Sequence, residues 1–504
     1  MSLAVVYTRA ALGVDAPLVH VEVHLANGLP GFNIVGLPEA SVKEARDRVR
    51  SALVNSHFEF PAKRITVNLA PADLPKDGGR FDLAIAVGIM AASLELRRDL
   101  LEQYEFIGEL ALSGKVRAVS GIVPAAVTCQ RKGRSMIAPL ANEDELKYLE
   151  EHEVFLCENL AEIYQLLCKG LELPRIQSSS NSVPAANCSE DMADVVGQEA
   201  AKRALLIAAA GGHNILFCGP PGTGKTMLAR RILTLLPPLT TELALETAAV
   251  HSVAGMALSP ETWRQPSFRA PHHTASAVAL TGGGSNPRPG EVSLAHNGVL
   301  FLDEFTEFPR KVLDVLREPM ESGEIVISRA ARQCTYPAKF QLIAALNPSP
   351  SGDVNDRRSS PEQIIRYLNR ISGPLLDRID LQVDVPRLEQ DELESLKRLP
   401  RATSKDYREQ VLAARQRQAK RSQKLNAHLT VSVLERMANL ETKEQAFLYG
   451  AVQKLGLSMR SMHRVLKVSM TIADLDSASK VAIPHIAEAL GYRALERLIR
   501  NLTR

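Results

Sequence analysis

Val19, Val21, Val23 and Leu25 alternate with other residues, and ITVNLA at 65–70 repeats the alternation, which predicts half-buried strands. Between and after them, Glu39 to His57 and Phe81 to Ser93 carry helical periodicity, so the first part of the chain reads as α/β. Strand and helix patterns alternate again from 190 to about 395. From about 402 the pattern is wholly helical, opening on the basic stretch YREQVLAARQRQAKRSQK and closing on helices from Ser461 to Arg504. The periodicity lapses at IQSSSNSVPAANCSED, 176–191, where Ser, Asn and Pro accumulate as in a linker. The expected organisation is an N-terminal domain over 1–172, a linker over 173–191, a core over 192–395 and a helical domain over 402–504, with no tandem repeat.

Composition narrows the class. The 504 residues are 45% hydrophobic and 23% charged, which excludes disorder, collagen and a small disulfide scaffold. The longest apolar stretch, Leu83 to Ala92, is about half of a bilayer span, and MSLAVVYTRA lacks a basic head before an apolar core, so a soluble cytoplasmic protein without membrane contact is expected. Cys129, Cys157, Cys168, Cys188, Cys218 and Cys334 form no CxxC pair and are expected to be reduced, mostly buried thiols. The net charge of +3 hides an asymmetry: residues 401–504 carry 19 Lys and Arg against 9 Asp and Glu, a surplus of +10, and the remainder carries −7. A polyanion would be met at that end.

The strongest chemical signal is GPPGTGKT at 219–226, between the apolar strand NILFC and the helical run MLARRILTLL. In Gly219, Pro220, Pro221, Gly222, Thr223, Gly224, Lys225 and Thr226, the glycines let the backbone N–H groups face phosphate oxygens. Lys225 adds charge at the β and γ phosphates, and Thr226 is placed to hold Mg²⁺. VLFLDE at 299–304 reads as a buried parallel strand ending in two carboxylates, with Asp303 for the Mg²⁺ shell and Glu304 to polarise the attacking water. In LIAALNP, Asn347 ends another apolar strand, where its amide can orient that water. ATP and Mg²⁺ are the implied cofactors.

These elements in this order resemble the core of an AAA+ ATPase. The resemblance implies that Arg378 of GPLLDRIDL is an arginine finger reaching a neighbouring subunit, with a salt bridge to Asp377 or Asp380 as the alternative. It places a second sensor arginine at Arg460, with Arg464 one turn later. A finger supplied in trans implies a ring, a homo-hexamer.

FRAPHHTASAVALTGGGSNPRPGEVSLAHNGVLFLDE at 268–304, VGLPEASVKEARDRVRSAL at 35–53, NLAPADLPKDGGRFDLAIAVGI at 68–89 and ISGPLLDRIDL at 371–381 make the resemblance specific. They resemble the Mg-chelatase-like ATPases of the ComM/YifB family over essentially the whole chain. That resemblance implies a DNA motor that extends strand exchange by branch migration during natural transformation, with branched or single-stranded DNA and recombination proteins as partners. A chelatase-type motor subunit, driving metal insertion or remodelling a protein partner, is the alternative. The chain lacks the DxSxS motif of the chelatase partner subunit.

Several residues are weighed within this frame. His272 and His273, as neighbours in sequence, are expected to point in different directions and to make loop hydrogen bonds rather than bind metal. Ser349 and Ser351 stand where many family members have cysteines, so no metal cluster forms there. EIVISRAARQCTYPAKFQLIAAL, 324–346, reads as two strands around a basic turn, with Arg329 and Arg332 facing DNA phosphates in a ring pore. Arg415, Arg417, Lys420 and Arg421 of the basic helix are further DNA-contact candidates. Residues 1–170 resemble the Lon-protease-like fold through PKDGGRFD and GELALSGKVRAVSGIVPAA, but Arg80 and Val123 occupy the places of the Ser–Lys dyad, which leaves no nucleophile and no base. Lys76, Arg80, Lys115 and Arg117 remain as a DNA or assembly face, or as a solvated one.

Overall fold

In the computed structural model, which describes residues 2–503 apart from 37–41, 43, 75, 150–152, 178–189, 260, 285–286, 330–331, 354–357 and 398–399, the alternating segments become strands of a seven-stranded mixed sheet. It is built from β1 (Ser2–Arg9), β2 (Leu18–Ala26), β3 (Gly31–Val35), β4 (Arg64–Ala70), β5 (Tyr104–Phe106), β8 (Ser135–Pro139) and β9 (Val154–Cys157), in the order β3-β4-β2-β1-β5-β8-β9. The short pair β6 (Glu109–Leu110) and β7 (Val116–Arg117) stands beside it. β2 alternates buried and half-buried along its length, as one packed face requires. The helix Asp82–Ser93 is buried nearly all round, which explains why its sequence is apolar on every side. It lies so close to the sheet that a Cβ on Gly88 would come within 2.5 Å of Val23.

The second sheet is five-stranded and all parallel. Its strands are β10 (Ile215–Cys218), β11 (Phe268–Arg269), β14 (Val299–Leu302), β17 (Gln341–Leu346) and β18 (Leu381–Asp384), in the order β11-β14-β17-β10-β18. ILFC, VLFL and QLIAAL are buried at every position because both faces are covered. Alternate residues go to different cores. Ile215, Phe217, Ile343 and Ala345 face the helical region, in one cluster with Val411, Met462 and Val465. Leu216, Leu300, Leu302 and Leu342 face the other way, with Ile325, Ile327, Cys334 and Tyr336 of the hairpin β15 (Glu324–Arg329) and β16 (Arg332–Pro337). A small ladder, β12 (Gly282–Gly283) with β13 (Arg288–Pro289), lies near that hairpin.

The C-terminal region is helical: Ser404–Ser422, Val431–Ala438, Thr442–Leu455, Met459–Leu475, Ile483–Gly491 and Ala494–Thr503. Thr403 and Asp406 form a capping box that starts the first of these. The last helix returns to the parallel sheet, where Leu495 is buried in the hairpin-side core and Glu496 N donates to Gln382 Oε1 at 3.2 Å.

The N-terminal region is docked on the parallel-sheet region through the helix Thr241–Ala254. Ala248 and Ala249 share a buried cluster with Ile122, Ala125 and Ala126. Tyr148 and Trp263 stack with centroids 4.7 Å apart, and Gly121 N donates to Ser252 O at 3.1 Å. Most of the linker, 178–189, and with it Cys188, lies outside the described residues. Of the described cysteines, Cys168 alone is exposed and all are free thiols. No helix among the described residues is long and apolar enough to cross a membrane.

Candidate nucleotide site and its neighbours

Parallel strands end together, so the residues just beyond β10, β14 and β17 share one edge of the sheet, where α/β proteins bind ligands. Gly219 turns away from β10 directly against β18: a Cβ there would stand 2.2 Å from Val385 O. Gly222 and Gly224 have φ of 80° and 89°, in the left-handed region, and Gly224 starts the helix Lys225–Leu235. Lys225 Nζ donates to Gly219 O at 2.7 Å, Pro220 O at 2.8 Å and Asn347 Oδ1 at 3.1 Å. Burial lowers the pKa of this ammonium, with Asp303 acting in the opposite direction. Thr226 Oγ1 donates to Asp303 Oδ2 at 2.7 Å, and Thr223 Oγ1 donates to Pro220 O at 3.0 Å. Pro221 is approached by the loop after β17, since a Cβ on Gly352 would lie 2.9 Å from its ring. Residues 219–226, Asp303, Glu304 and Asn347 thus lie at one edge.

The donor set fits the group expected there. Thr226 and Asp303 offer hard oxygens of the kind Mg²⁺ takes, and the open faces of Gly222 and Gly224, with nothing within 4 Å of an added Cβ, leave room for phosphates.

The two adjacent histidines differ from expectation. Their rings do not diverge but lie against each other, centroids 4.1 Å apart and planes 34° apart. His272 Nδ1 meets Thr274 Oγ1 at 2.9 Å, a loop hydrogen bond, while His273 Nδ1 reaches Glu304 Oε2 at 2.9 Å. Among the described residues no group of three His, Cys, Asp or Glu could hold a metal. Ser349 and Ser351 bond each other at 3.1 Å and Ser349 Oγ donates to Asp353 O at 2.8 Å.

Arg378 pairs with Glu321 and donates to Pro374 O at 2.5 Å; neither neighbouring aspartate is its partner. Asp380 is instead taken by Arg464 Nη1 at 2.7 Å, by His213 at 3.5 Å and by the backbone N of Asn214 at 3.1 Å. Burial works to raise the pKa of Asp380, and the charges of Arg464 and His213 outweigh it, holding the carboxyl well below the usual range. Arg460 is exposed in the first turn of Met459–Leu475, one turn before Arg464 on the same helix.

The basic surfaces need correction. Arg415 donates twice to Ala209 O, at 3.0 and 2.7 Å, and burial brings its pKa down to about 10. Arg417 donates to Asp474 O and Ser477, and Arg421 forms a two-pronged pair with Asp474 at 2.7 Å for both bonds. These three arginines pin the helix Ser404–Ser422 to its neighbours, and Lys420 stays exposed. In the N-terminal region Lys76 is buried on the carbonyls of Pro71 and Leu74, so it is no part of a charged face. Arg80 is also internal, 5% exposed, and burial lowers its pKa to about 10. Lys115 and Arg117 are exposed and paired with Glu158 and Glu109. Arg329 and Arg332 are partners in register at the hairpin end; residues 330–331 lie outside the described residues.

Three stretches match families described as subunit ChlI of Mg-chelatase (21–142), magnesium chelatase, subunit ChlI (191–393) and its C-terminal part (401–493). Over its full length the chain is 53% identical to the competence protein ComM of Haemophilus influenzae, an alignment of 509 residues covering 100% of each. It belongs to the ComM/YifB family of Mg-chelatase-like AAA+ proteins. YifB of Escherichia coli is 50% identical over 506 residues, covering 100% of this chain and 99% of its own. The magnesium-chelatase 38 kDa subunit of Rhodobacter capsulatus is 27% identical over 339 residues, covering 61% of this chain and 87% of its own. The ComM/YifB class is one of ATPases that generally use ATP with Mg²⁺, and AAA+ proteins assemble as oligomers.

Proposed function

We propose that the chain hydrolyses ATP at the edge described above and uses the energy to move DNA, as a branch-migration motor supporting homologous recombination in natural transformation. The observation that carries the hydrolytic part is the convergence of Lys225, Thr226, Asp303, Glu304 and Asn347 at the ends of three neighbouring parallel strands. Lys225 and the backbone of 219–224 bind phosphates, Thr226 and Asp303 hold the metal, and Glu304 takes the proton of the attacking water while Asn347 orients it. Bound Mg²⁺ supplies charge neutralisation at the phosphate oxygens. Arg378 acts on a neighbouring subunit in a homo-hexamer, which requires it to exchange Glu321 for phosphate, and Arg460 serves as the second sensor arginine on the helical lid. The units read as 1–172, 173–191, 192–395 and 402–504, with the first a non-proteolytic Lon-like scaffold.

The DNA part is supported by the hairpin β15–β16, which carries Arg329 and Arg332 at its end and leads directly into β17 and Asn347. Lys420 is the remaining candidate on the basic helix, and recombination proteins are further partners of this reading. The test is ATP turnover with and without a four-way DNA junction, scored beside junction migration. Turnover rises with DNA, and binding falls with salt at a log–log slope of about −0.9 per phosphate contact on duplex DNA. Arg329→Ala with Arg332→Ala keeps ATP turnover and loses DNA stimulation and migration. An ATPase that ignores every DNA tested but responds to a porphyrin-chelatase partner moves the assignment to a chelatase-type motor.

A further inference from the structure

Arg9, Arg203 and Arg269 show how this protein satisfies a guanidinium. Each turns the edge formed by Nε and Nη2 to the two oxygens of one carboxylate, that of Glu105, Glu488 and Glu291 respectively. Arg80 has the same edge, and among the described residues neither its Nε nor its Nη2 has an acceptor. Its one hydrogen bond runs from Nη1 to Ser120 O at 3.5 Å. The side chain is internal, and no acidic group opposes the burial that lowers its pKa to about 10. At pH 7 it is a buried cation without a counter-charge, which a fold tolerates only at high cost. We propose that Arg80 and the N-terminus of the helix Ile122–Arg131 form a binding site for a small oxyanion, a carboxylate or a phosphate.

The acids nearest in the chain are committed elsewhere. Glu109 packs on Gly79, the residue before Arg80, but its carboxylate meets Arg117 at 3.6 Å. Asp82, two residues after Arg80, is taken by Arg48 through two bonds. The helix adds positive charge instead of relieving it. Gly121 starts Ile122–Arg131 with φ 68° and offers no side-chain cap, so the first N–H groups, at Ile122 and Val123, carry the positive end of the helix dipole uncapped. A Cβ on Gly121 would stand 3.9 Å from Arg80 Nη1, so a guanidinium and a helix N-terminus share one place. Two positive groups held together in the interior are stabilised by an anion that accepts from both.

A way in lies on the same side. Ser120, Gly121, Pro124 and Val253 line a cavity whose wall also includes Arg288 and Tyr336. Gly121 has no side chain to screen the guanidinium from this space, and the exposed Arg288 adds a second cation to it. Gly121 N also donates to Ser252 O at 3.1 Å, so an anion here sits on the contact that docks the N-terminal region on the helix Thr241–Ala254. Binding strengthens that docking.

The test is equilibrium dialysis of the full chain, first freed of phosphate, against radiolabelled inorganic phosphate and, separately, radiolabelled acetate. It uses the Lys225→Ala protein, so that the phosphate loop contributes little, and the same protein carrying Arg80→Met or Arg80→Lys as well. The Lys225→Ala protein binds one equivalent of phosphate or of acetate saturably, and whichever binds more tightly assigns the anion as phosphate or carboxylate. Arg80→Met removes that equivalent, and Arg80→Lys, which keeps the charge but loses the planar fork, weakens it at least tenfold. The bound anion also raises the melting temperature by about 2–4 °C, a gain that Arg80→Met abolishes. Absence of saturable binding of both anions, or an affinity that Arg80→Met leaves unchanged, overturns the site. If the Arg80→Met protein does not fold, an unchanged affinity in the Arg80→Lys protein overturns it equally.

Discussion

Arg464 donates from a single nitrogen, Nη1, to Asp380 Oδ1 at 2.7 Å and to Arg378 O at 3.0 Å. One guanidinium thus ties the helix Met459–Leu475 to the segment that carries the finger candidate, and it does so on a buried carboxylate. Asp380 is held below its ordinary pKa, so it stabilises the fold above the unfolded-state value of about 3.9, and that contribution fades as pH falls through the lower folded value. Asp380→Asn lowers the unfolding midpoint at pH 7, with breakage of a buried pair costing about 3–5 kcal/mol. The gap from wild type narrows as pH drops below about 4. A gap that stays constant across that range would show that the charge of Asp380 is not the stabilising element.

Glu304→Gln keeps ATP bound and loses turnover, because Lys225, Thr226 and Asp303 are untouched. Lys225→Ala loses binding instead. Equilibrium nucleotide binding and phosphate release, measured on both proteins, separate the two outcomes. Normal turnover by the Glu304→Gln protein removes it from the chemistry.

Arg378→Ala mixed with Lys225→Ala recovers part of the activity that each lacks alone, since one supplies a working phosphate loop and the other a working finger. A finger contributes roughly 10³ to 10⁵ in rate where it has been measured, so partial recovery is easily seen. Glu321→Gln weakens the ion pair that holds Arg378 and raises turnover of the otherwise intact chain. If Arg378→Ala alone hydrolyses ATP at the wild-type rate, the trans-finger role is wrong.

Trp263 is the chain's one tryptophan, and it stacks on Tyr148 across the junction between the N-terminal and parallel-sheet regions. Tyr148→Ala shifts Trp263 emission to the red and raises its quenching by iodide, as its ring gains water. The stacking is worth about 0.5–1.5 kcal/mol beyond area burial, so the protein stays folded. Emission that does not move places the tryptophan outside the docking contact.

The parallel sheet and the nucleotide edge were legible because continuous apolar runs and glycine spacing are local signals. GPPGTGKT, VLFLDE and LIAALNP each mark the end of a strand together with the polar residues just past it. The His273–Glu304 contact was not legible, because it depends on which strands neighbour each other and in what register, and 31 residues separate the two in sequence. The same holds for Glu321 beside Arg378. The basic helix misled for a physical reason: arginines have long stems and five donors, so Arg415, Arg417 and Arg421 serve as well for pinning helices through carbonyls as for meeting phosphates. Lys76 and Arg80 show the same limit, since charge in a sequence does not reveal which side of the surface it lies on.

The helical C-terminal region is fastened at both ends of its chain. At its start Ser404 Oγ donates to Thr234 Oγ1 at 2.8 Å, Ser404 N donates to Asp191 and Arg401 donates to Ala193 O. At its finish the helix Ala494–Thr503 lies against β18, where Gln382 N donates to Tyr492 O at 3.0 Å and Glu496 N to the Gln382 side chain. Its middle is tied as well: Arg415 donates to Ala209 O, Arg464 pairs with Asp380, and His213 Nε2 meets Thr471 Oγ1 at 2.7 Å. A body held along its length has no free axis against the sheet, so a displacement of these helices must be passed to β18 and to its neighbour β10, the strand that leads into Gly219.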